Sequence, residues 1–479
     1  MRSQTGVGAS TGLPGRPTGV RLMASRTVSI RTRSGSPPSL DGHSFLGALP
    51  SFARDPLGTL ARAGRQGDVV YLQMGPSRCH VPAYLVGHPD GVRRVLATGQ
   101  QVYRKSFTSL PARSIFGLGL LTSDGPAWVA QRRLVRPLFH PDRMAPVAEV
   151  TAQASAALAR RWRGYARSGE VIDVTAEMAR VSLEVLLRSI FGVPLEERDA
   201  DDISSAFAVL SQESWRRTAS LAWWLFPRSI GTLPPARARR FRAATATLDR
   251  VVRRLAAAHD TDGPAGRPGD AGAGSLLSLL LGARDDDGRP LPWPLVRDEI
   301  ATFLVAGHET TAVSMAWAWY LLARDPRRYR LLAGAAGEQQ QEYARAVVQE
   351  SLRLYPPAWS IVRDAVADDE IGGCPIRAGS VVITAPYVTQ RDPRFFEAPE
   401  EFRPERFLAG EPVPFTYFPF GGGGRRCVGE RLALAQATAI VSALATGFRL
   451  RLTDPAPLPA QPAVTLRPGR PILMRVAAR

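Results

Sequence analysis

The stretch from Phe420 to Gly429 places a cysteine in an unusual setting. Four consecutive glycines and two arginines precede Cys427, and an apolar run begins at Leu432. Glycines let the backbone come close to a flat ligand because no Cβ intervenes. A helix N-terminus and nearby arginines lower the pKa of a thiol, and a thiolate is a soft metal ligand. The stretch therefore predicts a loop that leads into a helix and presents Cys427 to a metal. A glycine-rich surface turn is the alternative.

A second feature lies within the longest helical pattern of the chain. Ala306-Gly307 leaves a gap on one helix face, although glycine inside a helix costs about 1 kcal/mol relative to alanine. An acid, Glu309, and an alcohol, Thr310, follow at once. The alternative is a helix kink in which the Thr310 hydroxyl bonds back to a carbonyl one turn earlier. His308 lies within the motif and is assigned no role.

Two further pairs of residues have helical spacing. Glu350 and Arg353 are three residues apart and therefore share one helix face. Trp128 and Arg132, which are four residues apart, do the same. Most charge pairs of this spacing are exposed and contribute little. A Pro-Glu-Arg segment that ends at Arg406 lies between this first pair and the cysteine stretch. Its presence favours a specific role for Glu350 and Arg353 over an exposed charge pair.

Taken together, these motifs resemble the signatures of the cytochromes P450. Residues 420–429 fit F-x-x-G-x-R-x-C-x-G at every fixed position, and residues 306–311 fit A-G-x-E-T-T. The E-x-x-R and P-E-R segments stand in the family's order between them. The resemblance covers residues 45–479. The chain looks short within residues 331–343, which predicts a trimmed surface segment there.

The resemblance implies a haem b cofactor with Cys427 as the metal ligand. A thiolate ligand pushes electron density onto haem iron and favours O–O cleavage. Arginine pairs carboxylates in a fixed fork, and by resemblance Trp128, Arg132, Arg363 and Arg425 reach the haem propionates. The cofactor-binding residues that the resemblance implies are Trp128, Arg132, Ala306, Gly307, Arg363, Phe420, Gly421, Arg425, Cys427 and Gly429.

Catalytic and structural roles follow from the same resemblance. It implies that Thr310 hydrogen-bonds the dioxygen bound at the iron and that Glu309 helps to relay protons from water. It also implies a buried network behind the haem that holds the ligand loop and has a structural role, formed by Glu350, Arg353 and Arg406.

The predicted fold is mainly α-helical with a small β-rich part. The resemblance implies the cytochrome P450 fold, with haem between the long central helix and the cysteine loop. Residues 1–40 are rich in Arg, Ser and Gly and are predicted to be a disordered tail. Residues 41–479 are predicted to form a single domain. The sequence shows no signal peptide and no span of 18 apolar residues, so no membrane anchor is predicted.

Hydrophobic periodicity predicts the elements that carry these motifs. An apolar loop is predicted over residues 103–119, a flexible stretch over 260–274, and short β-hairpins over 362–385 with Gly372-Gly373 as a turn. Strands are predicted over residues 68–75 and 83–86. Helices are predicted over residues 92–97, 128–138, 145–168, 174–191, 203–224, 235–259, 294–323 and 341–354.

The net charge of +18 is carried almost entirely by arginine, because Lys105 is the only lysine. A solvated arginine-rich surface is one interpretation, and a basic face for an acidic partner is another. No motif supports nucleic-acid binding. The predicted partner is an acidic ferredoxin that docks near Cys427, where Arg425, Arg426 and Arg431 cluster. The three cysteines lie far apart and predict a reducing compartment, the cytoplasm, without disulfides.

Three segments predict an apolar substrate pocket. They lie within residues 107–116, 303–307 and 358–362 and carry almost no charge after Arg113. Burying ~250 Å² of hydrocarbon would contribute about 6 kcal/mol at ~25 cal/mol per Å², so a terpene-like or polyketide-like skeleton needs no ionic anchor. The predicted pocket residues are Phe107, Ile115, Phe116, Phe303, Trp359, Ile361 and Val362.

The predicted function is that of a monomeric haem-thiolate monooxygenase with dioxygen as co-substrate. No flavin or ferredoxin module is fused, so electrons are expected from NAD(P)H through an external ferredoxin and its reductase. The sequence as a whole also resembles the bacterial terpene hydroxylases of the family. Epoxidation, desaturation and oxidative cyclisation are alternatives within the same chemistry. A haem-binding sensor without turnover, and a structural helical protein with a chance cysteine loop, are alternatives outside it.

Overall fold

The structure is a computed structural model that describes residues 35–76, 80–196, 199–225, 234–261, 274–285 and 287–479. Cys79 lies outside the described residues, as do most of the predicted tail and most of the predicted flexible stretch 260–274.

Helices make up most of the described chain, which confirms the predicted mainly α-helical fold with a small β-rich part. None of these helices is both long and apolar enough to cross a bilayer. The helices are α1 (Leu49–Arg54), α2 (Pro56–Gln66), α3 (Pro89–Arg93), α4 (Leu110–Phe116), α5 (Gly125–Val135), α6 (Met144–Ser168), α7 (Val174–Leu186), α8 (Asp199–Thr218), α9 (Leu221–Leu225), α10 (Pro235–Thr261), α11 (Leu276–Gly282), α12 (Trp293–Arg324), α13 (Pro326–Gly334), α14 (Gly337–Leu354), α15 (Pro386–Thr389) and α16 (Glu430–Gly447).

Short strands form one larger sheet and three small ones. In the five-stranded sheet the order is β1-β2-β8-β5-β3, with only the β2–β8 pair parallel. A three-stranded sheet has the order β4-β12-β9, and β6–β7 and β10–β11 are hairpins. The strands are β1 (Val69–Met74), β2 (Val81–Val86), β3 (Tyr103–Lys105), β4 (Val171–Asp173), β5 (Ile361–Ala365), β6 (Asp369–Ile371), β7 (Cys374–Ile376), β8 (Val381–Thr384), β9 (Phe448–Leu452), β10 (Ala460–Pro462), β11 (Leu466–Pro468) and β12 (Leu473–Ala478).

Helix α12 runs through the core and organises the rest of the fold. Its first turn holds Pro294, whose missing N–H costs nothing there, and it ends before Asp325-Pro326. With 32 residues at about 1.5 Å each, it spans roughly 48 Å. Apolar side chains cover nearly all of its faces, and Trp317 and Trp319 are fully buried. A helix that is apolar all round belongs in the interior, and α7, α14 and α16 pack around this one.

Three predicted elements differ from the structure. Residues 103–119 are not a loop but contain β3 and α4, because a helix of seven residues is too short to show a clear period. The predicted helix 203–224 is broken, since α8 ends at Thr218 and α9 starts at Leu221. Helix α14 begins at Gly337, and only two residues separate it from α13.

Candidate active site

A cavity of about 370 Å³ lies between α12 and the cysteine loop. Most of its wall is apolar, and its unpaired or partly paired cations gather at one end. Residues of α12 that line it are Thr302, Phe303, Ala306, Gly307, Thr310, Thr311 and Ser314. The opposite wall includes Phe420, Gly421, Cys427, Gly429 and Leu432. Two motifs that are more than one hundred residues apart in sequence thus face each other across one space.

The cysteine loop has a backbone that only glycine can adopt in places. Gly421 and Gly423 have φ angles of +74° and +63°. A Cβ on Gly423 would lie 2.1 Å from the Leu96 carbonyl oxygen, so the loop can pack against that segment only without a side chain. The Cys427 N–H donates to the Phe420 carbonyl at 2.9 Å, which closes the loop before α16 begins at Glu430.

Cys427 lines the cavity and is exposed to it, yet desolvation by the surrounding protein raises the pKa of its thiol above the usual value. A hydrogen bond from the Gly429 N–H and the charges of Arg132 and Arg426 oppose this effect without overcoming it. The predicted lowering of this pKa was therefore wrong for the protein without a metal. Desolvation disfavours the thiolate more strongly than the helix N-terminus and the arginines favour it. A metal ion would supply the missing charge, since a coordinating thiol is deprotonated outright.

Gly307 lets α12 pack closely against α7 and also lines the cavity. A Cβ at this position would lie 2.8 Å from the Leu186 side chain of α7. Leu186 and Gly307 both line the cavity. The predicted gap at Ala306-Gly307 therefore serves close helix packing as well as access to the cavity.

Thr310 lies on the cavity wall, and its hydroxyl donates to the Ala306 carbonyl at 2.7 Å. This is the back-bonded arrangement that the sequence offered as an alternative. The back-bonded arrangement is compatible with a role in the cavity. A hydroxyl on the cavity wall can break its bond to the Ala306 carbonyl and donate into the cavity instead. Thr311 and Ser314 make similar bonds to the carbonyls of Gly307 and Thr310.

Glu309 points away from this cavity and is not among the residues that line it. Its side chain is 8% exposed, and its Oε1 lies 2.6 Å from Nε of Arg467. The Thr465 hydroxyl donates to the same oxygen at 3.3 Å. The neighbouring His308 is fully buried with Nδ1 2.7 Å from the Leu304 carbonyl oxygen, and burial lowers its pKa.

Positive side chains gather at one end of the cavity. The guanidinium of Arg425 lies 4.3 Å above the Trp128 ring, and that of Arg132 lies 5.5 Å from the same ring. Arg425 also pairs with Asp124, which caps α5. Arg363 joins them from β5. The structure therefore brings together all four residues that were predicted to reach the propionates.

Lys105 belongs to the same cluster and was missed by the sequence analysis. It lines the cavity, pairs in register with Arg363 across β3 and β5, and donates to the Leu121 carbonyl. Burial, and then the charges of Arg363 and Arg425, lower its pKa to about 7. The signal that could have found it is its status as the chain's only lysine.

These residues fit a haem. The cavity is apolar, offers one thiol in its wall and carries a cluster of four cations, of which Arg425 alone pairs with a carboxylate of the described residues. Such a cluster is incomplete without negative charge, because burial disfavours unpaired cations. Two propionates would supply that charge, so Lys105, Arg132, Arg363 and Arg425 could hold the edge of a haem while Cys427 binds its iron.

The predicted network behind the cysteine loop is assembled in the structure. Glu350 and Arg353 are fully buried and make two hydrogen bonds of 2.7 and 2.8 Å. Arg406 Nε donates to Glu350 at 3.1 Å. Gln390, which the sequence did not single out, donates to the carbonyls of Leu352 and Arg353 and accepts from the Phe418 N–H, two residues before the cysteine stretch.

Only part of the predicted substrate pocket lies on the cavity wall. Phe303 and Ile361 line the cavity. Phe116 is instead packed against Phe207, and Phe107 against a pair of tryptophans on α9. Trp359 donates to the Ala463 carbonyl at 3.0 Å and is 4% exposed. Apolar type alone predicted these positions, and apolar residues serve the core as often as a pocket. Ile115 and Val362 are not cavity-lining residues either.

Comparisons with known proteins agree with this geometry. Residues 37–475 match the sequence model of the family described as Cytochrome P450. The chain is 33% identical to Cyclooctatin synthase of Streptomyces melanosporofaciens, over 90% of this chain and 92% of that protein. It is 26% identical to Pentalenene oxygenase of Streptomyces avermitilis, over 95% and 99% of the two chains.

A solved structure is similar over most of its length. The crystal structure of CYP175A1 from Thermus thermophilus superposes with a TM-score of 0.73 at 30% sequence identity. The match covers 92% of this chain and 100% of that one.

Proposed function

The chain belongs to the cytochrome P450 family, and from this premise we propose that it inserts one oxygen atom of dioxygen into an apolar, terpene-like small molecule. Membership of the family makes the chain an oxidoreductase with a haem and a redox partner. The observation that carries the proposal is the cavity itself. The Cys427 thiol lies on one wall, Ala306, Gly307 and Thr310 lie on the other, and the cations stand at one end.

The residues divide the work between holding the cofactor and moving protons. When bound, haem b supplies the reductive activation of dioxygen and the transfer of one oxygen atom. Cys427 would bind the iron, and Lys105, Arg132, Arg363 and Arg425 would pair with the propionates. Trp128 would keep two of these guanidinium groups in place through its ring.

Thr310 and Glu309 would provide the protons that reduction of dioxygen consumes. The Thr310 hydroxyl would turn from the Ala306 carbonyl toward the cavity and donate there, or hold a water that does. Glu309 would replace each proton from solvent. General-acid help of this kind is typically worth ~10²–10⁴-fold in rate.

The proposed substrate class is supported by the apolar lining of the cavity and by the names of similar proteins. The lining of the cavity is mainly apolar apart from the cation cluster, which the propionates would occupy. Similar proteins carry the names Cyclooctat-9-en-7-ol 5-monooxygenase and Pentalenene oxygenase, which refer to terpene skeletons. A hydrocarbon skeleton held by Phe303, Ile361 and the Leu120-Leu121 segment would need few polar contacts.

The proposed redox partner is an acidic ferredoxin that draws electrons from NAD(P)H through its reductase. Arg425, which was predicted to belong to the docking face, lies in the cavity wall instead. Arg426 and Arg431, the other two predicted arginines, are exposed. Of these two, only Arg426 pairs with a carboxylate of the described residues, Glu430. Charges of this kind steer a partner of opposite sign. The rate of electron transfer should fall as salt is added, because exposed charges are screened within about 10 Å at 0.1 M.

We also propose that residues 41–479 form a single domain that acts as a monomer in the cytoplasm. The predicted boundary of the tail at residue 40 was wrong, because residues 38–40 pair with Tyr71 of β1 and Leu40 is buried. Limited proteolysis and size-exclusion chromatography would test the proposal. A protease-resistant core that includes residues 41–479 and elutes as a monomer is the expected result.

The function is tested in two steps. The dithionite-reduced protein with carbon monoxide should show the absorption shift typical of a thiolate-bound haem. A panel of cyclic terpene hydrocarbons and charged compounds should then be screened by haem spin shift, and hits incubated with surrogate ferredoxin, reductase and NADPH. A hydroxylated terpene product is expected, and a spin shift caused only by charged ligands would refute the substrate class.

A further inference from the structure

Gln390 directly follows α15 and is completely buried. Its side-chain amide makes three hydrogen bonds, each 3.0 Å long. The nitrogen donates to the carbonyls of Leu352 and Arg353, and the oxygen accepts from the Phe418 N–H. Only this orientation of the amide suits its partners, because carbonyls accept and an N–H donates. One side chain thus connects the end of α14 with the segment that leads to Cys427.

The end of α14 is bound to Gln390 in two ways. The last carbonyls of a helix have no partner inside the helix, and those of Leu352 and Arg353 belong to the final turn of α14. The Gln390 side chain supplies a donor to both. Arg353 in turn donates to the backbone carbonyl of Gln390 at 2.8 Å and pairs with the buried Glu350. Gln390 is therefore fixed to α14 through its side chain and through its backbone.

A series of backbone hydrogen bonds leads from Phe418 to Cys427. The Phe418 carbonyl accepts from the Gly421 N–H at 2.9 Å and closes a turn in which Gly421 has a φ of +74°. The Phe420 carbonyl, inside this turn, accepts from the Cys427 N–H at 2.9 Å. The Gln390 amide therefore binds the first residue of the turn that contacts the backbone of Cys427.

We propose that Gln390 is a positioning residue that holds the cysteine loop to α14 and thereby keeps the Cys427 sulfur in place to bind haem iron. Groups that orient a metal ligand from outside the coordination sphere are sensitive positions, and their loss typically costs about 10–100-fold in metal affinity or activity. The inference rests on the proposed function for the role of Cys427, but the hydrogen bonds of Gln390 are a property of the fold.

The rival interpretation is that Gln390 only adds stability, as any buried and fully bonded glutamine would. Gln390→Met removes the three hydrogen bonds at nearly the same side-chain length. Gln436→Met is the control for residue type, since Gln436 is 1% exposed and its amide bonds to Ser182 in α7. Tyr417→Phe is the control for location, because the Tyr417 hydroxyl also donates to a carbonyl of α14 but leaves the turn at Phe418 untouched.

The first measurement is the share of bound haem that shows the thiolate-type carbon monoxide spectrum, with total haem content as the reference. Gln390→Met should raise the share without this spectrum several-fold. Tyr417→Phe and Gln436→Met should keep the wild-type share, even where urea unfolding shows that they are less stable than the wild type. An unchanged share in Gln390→Met, or an equal loss in either control, would overturn the inference.

The second measurement reads the loop directly, whatever Cys427 binds. Hydrogen exchange followed by peptide mass should be roughly 3- to 10-fold faster over residues 418–427 in Gln390→Met, the range that one hydrogen bond contributes, and unchanged in α10. If this variant fails to fold, Gln390→Asn provides the test, since its shorter side chain cannot reach all three partners at once. Unchanged exchange in the loop, or an equal acceleration in α10, would show that Gln390 does not hold the loop. Absence of the thiolate-type spectrum from the wild type would instead refute the proposed function.

Discussion

Replacing Glu350 by glutamine should destabilise the whole protein rather than impair one catalytic step. Glu350 is 0% exposed and receives four hydrogen bonds. Two come from Arg353, one from Arg406 and one from the backbone N–H of Arg403. Glutamine keeps the shape of the side chain but replaces one acceptor oxygen with a donor NH₂ group, so at least one of these donors loses its acceptor.

The expected loss follows from burial. Removing one partner of a buried pair leaves an uncompensated charge and typically costs about 3–5 kcal/mol. The total free energy of unfolding of a protein is about 5–15 kcal/mol, so roughly a fifth or more of it would be lost. Arg353 would keep its bonds to the carbonyls of Gln390, Pro399 and Glu401, which places the expected cost at the lower end of that range.

Urea unfolding followed by tryptophan fluorescence measures this effect, with haem content of the purified protein as a second reading. Asp287→Asn is the matched control, since the Asp287–Arg289 pair is 70% and 76% exposed and such pairs contribute about 0–1 kcal/mol. Glu350→Gln should unfold at a much lower urea concentration and be recovered with little haem. If its unfolding curve overlaid that of Asp287→Asn, the reasoning from burial would be wrong.

Four further predictions concern single residues. Cys427→Ala should lose the thiolate-type carbon monoxide spectrum while Cys374→Ala, which alters a buried thiol, keeps it; retention of the spectrum by the first variant would exclude Cys427 as the ligand. Thr310→Ala should still bind substrate and consume reductant but release peroxide in place of product, and an unchanged ratio of product to reductant would reduce Thr310 to a helix residue. Lys105→Met should weaken haem binding in a titration of the apoprotein without changing the carbon monoxide spectrum, and an unaltered affinity would remove it from the propionate site. Burial raises the pKa of Glu299 from 4.5 to about 7, so between these pH values the folded apoprotein binds more protons than the unfolded chain. The free energy of unfolding should therefore fall by about 3 kcal/mol as pH rises through this window. Glu299→Gln should flatten the dependence, which denaturant unfolding at pH 5 to 8 would reveal.

The features that could be predicted from the sequence are those that depend only on residues close to one another along the chain. The ligand loop is specified by glycines that must adopt positive φ within a few residues of Cys427. Helix α12 is marked by its length, by Pro294 in its first turn and by Asp325-Pro326 at its end. The position of Glu350 and Arg353 on one helix face follows from helical spacing.

Contacts between distant segments could not be predicted in this way. Hydrophobic periodicity shows that a side chain such as Phe107 or Trp359 is buried but not what it meets, and both proved to pack in the core. Lys105 joins the cation cluster only because β3 pairs with β5.

Electrostatics was the other property left to the tertiary structure. The arginines near Cys427 predicted a lowered pKa, yet the protein around the cavity desolvates the thiol, and this effect raises the pKa instead. Glu309 is marked as an acid by its neighbours in the sequence, but its partner Arg467 lies more than 150 residues away. Local sequence therefore determined which groups are available for chemistry. Only the packing of α12 against the β10–β11 hairpin and the cysteine loop decided their partners and their charge, because desolvation and pairing depend on what surrounds a group in space.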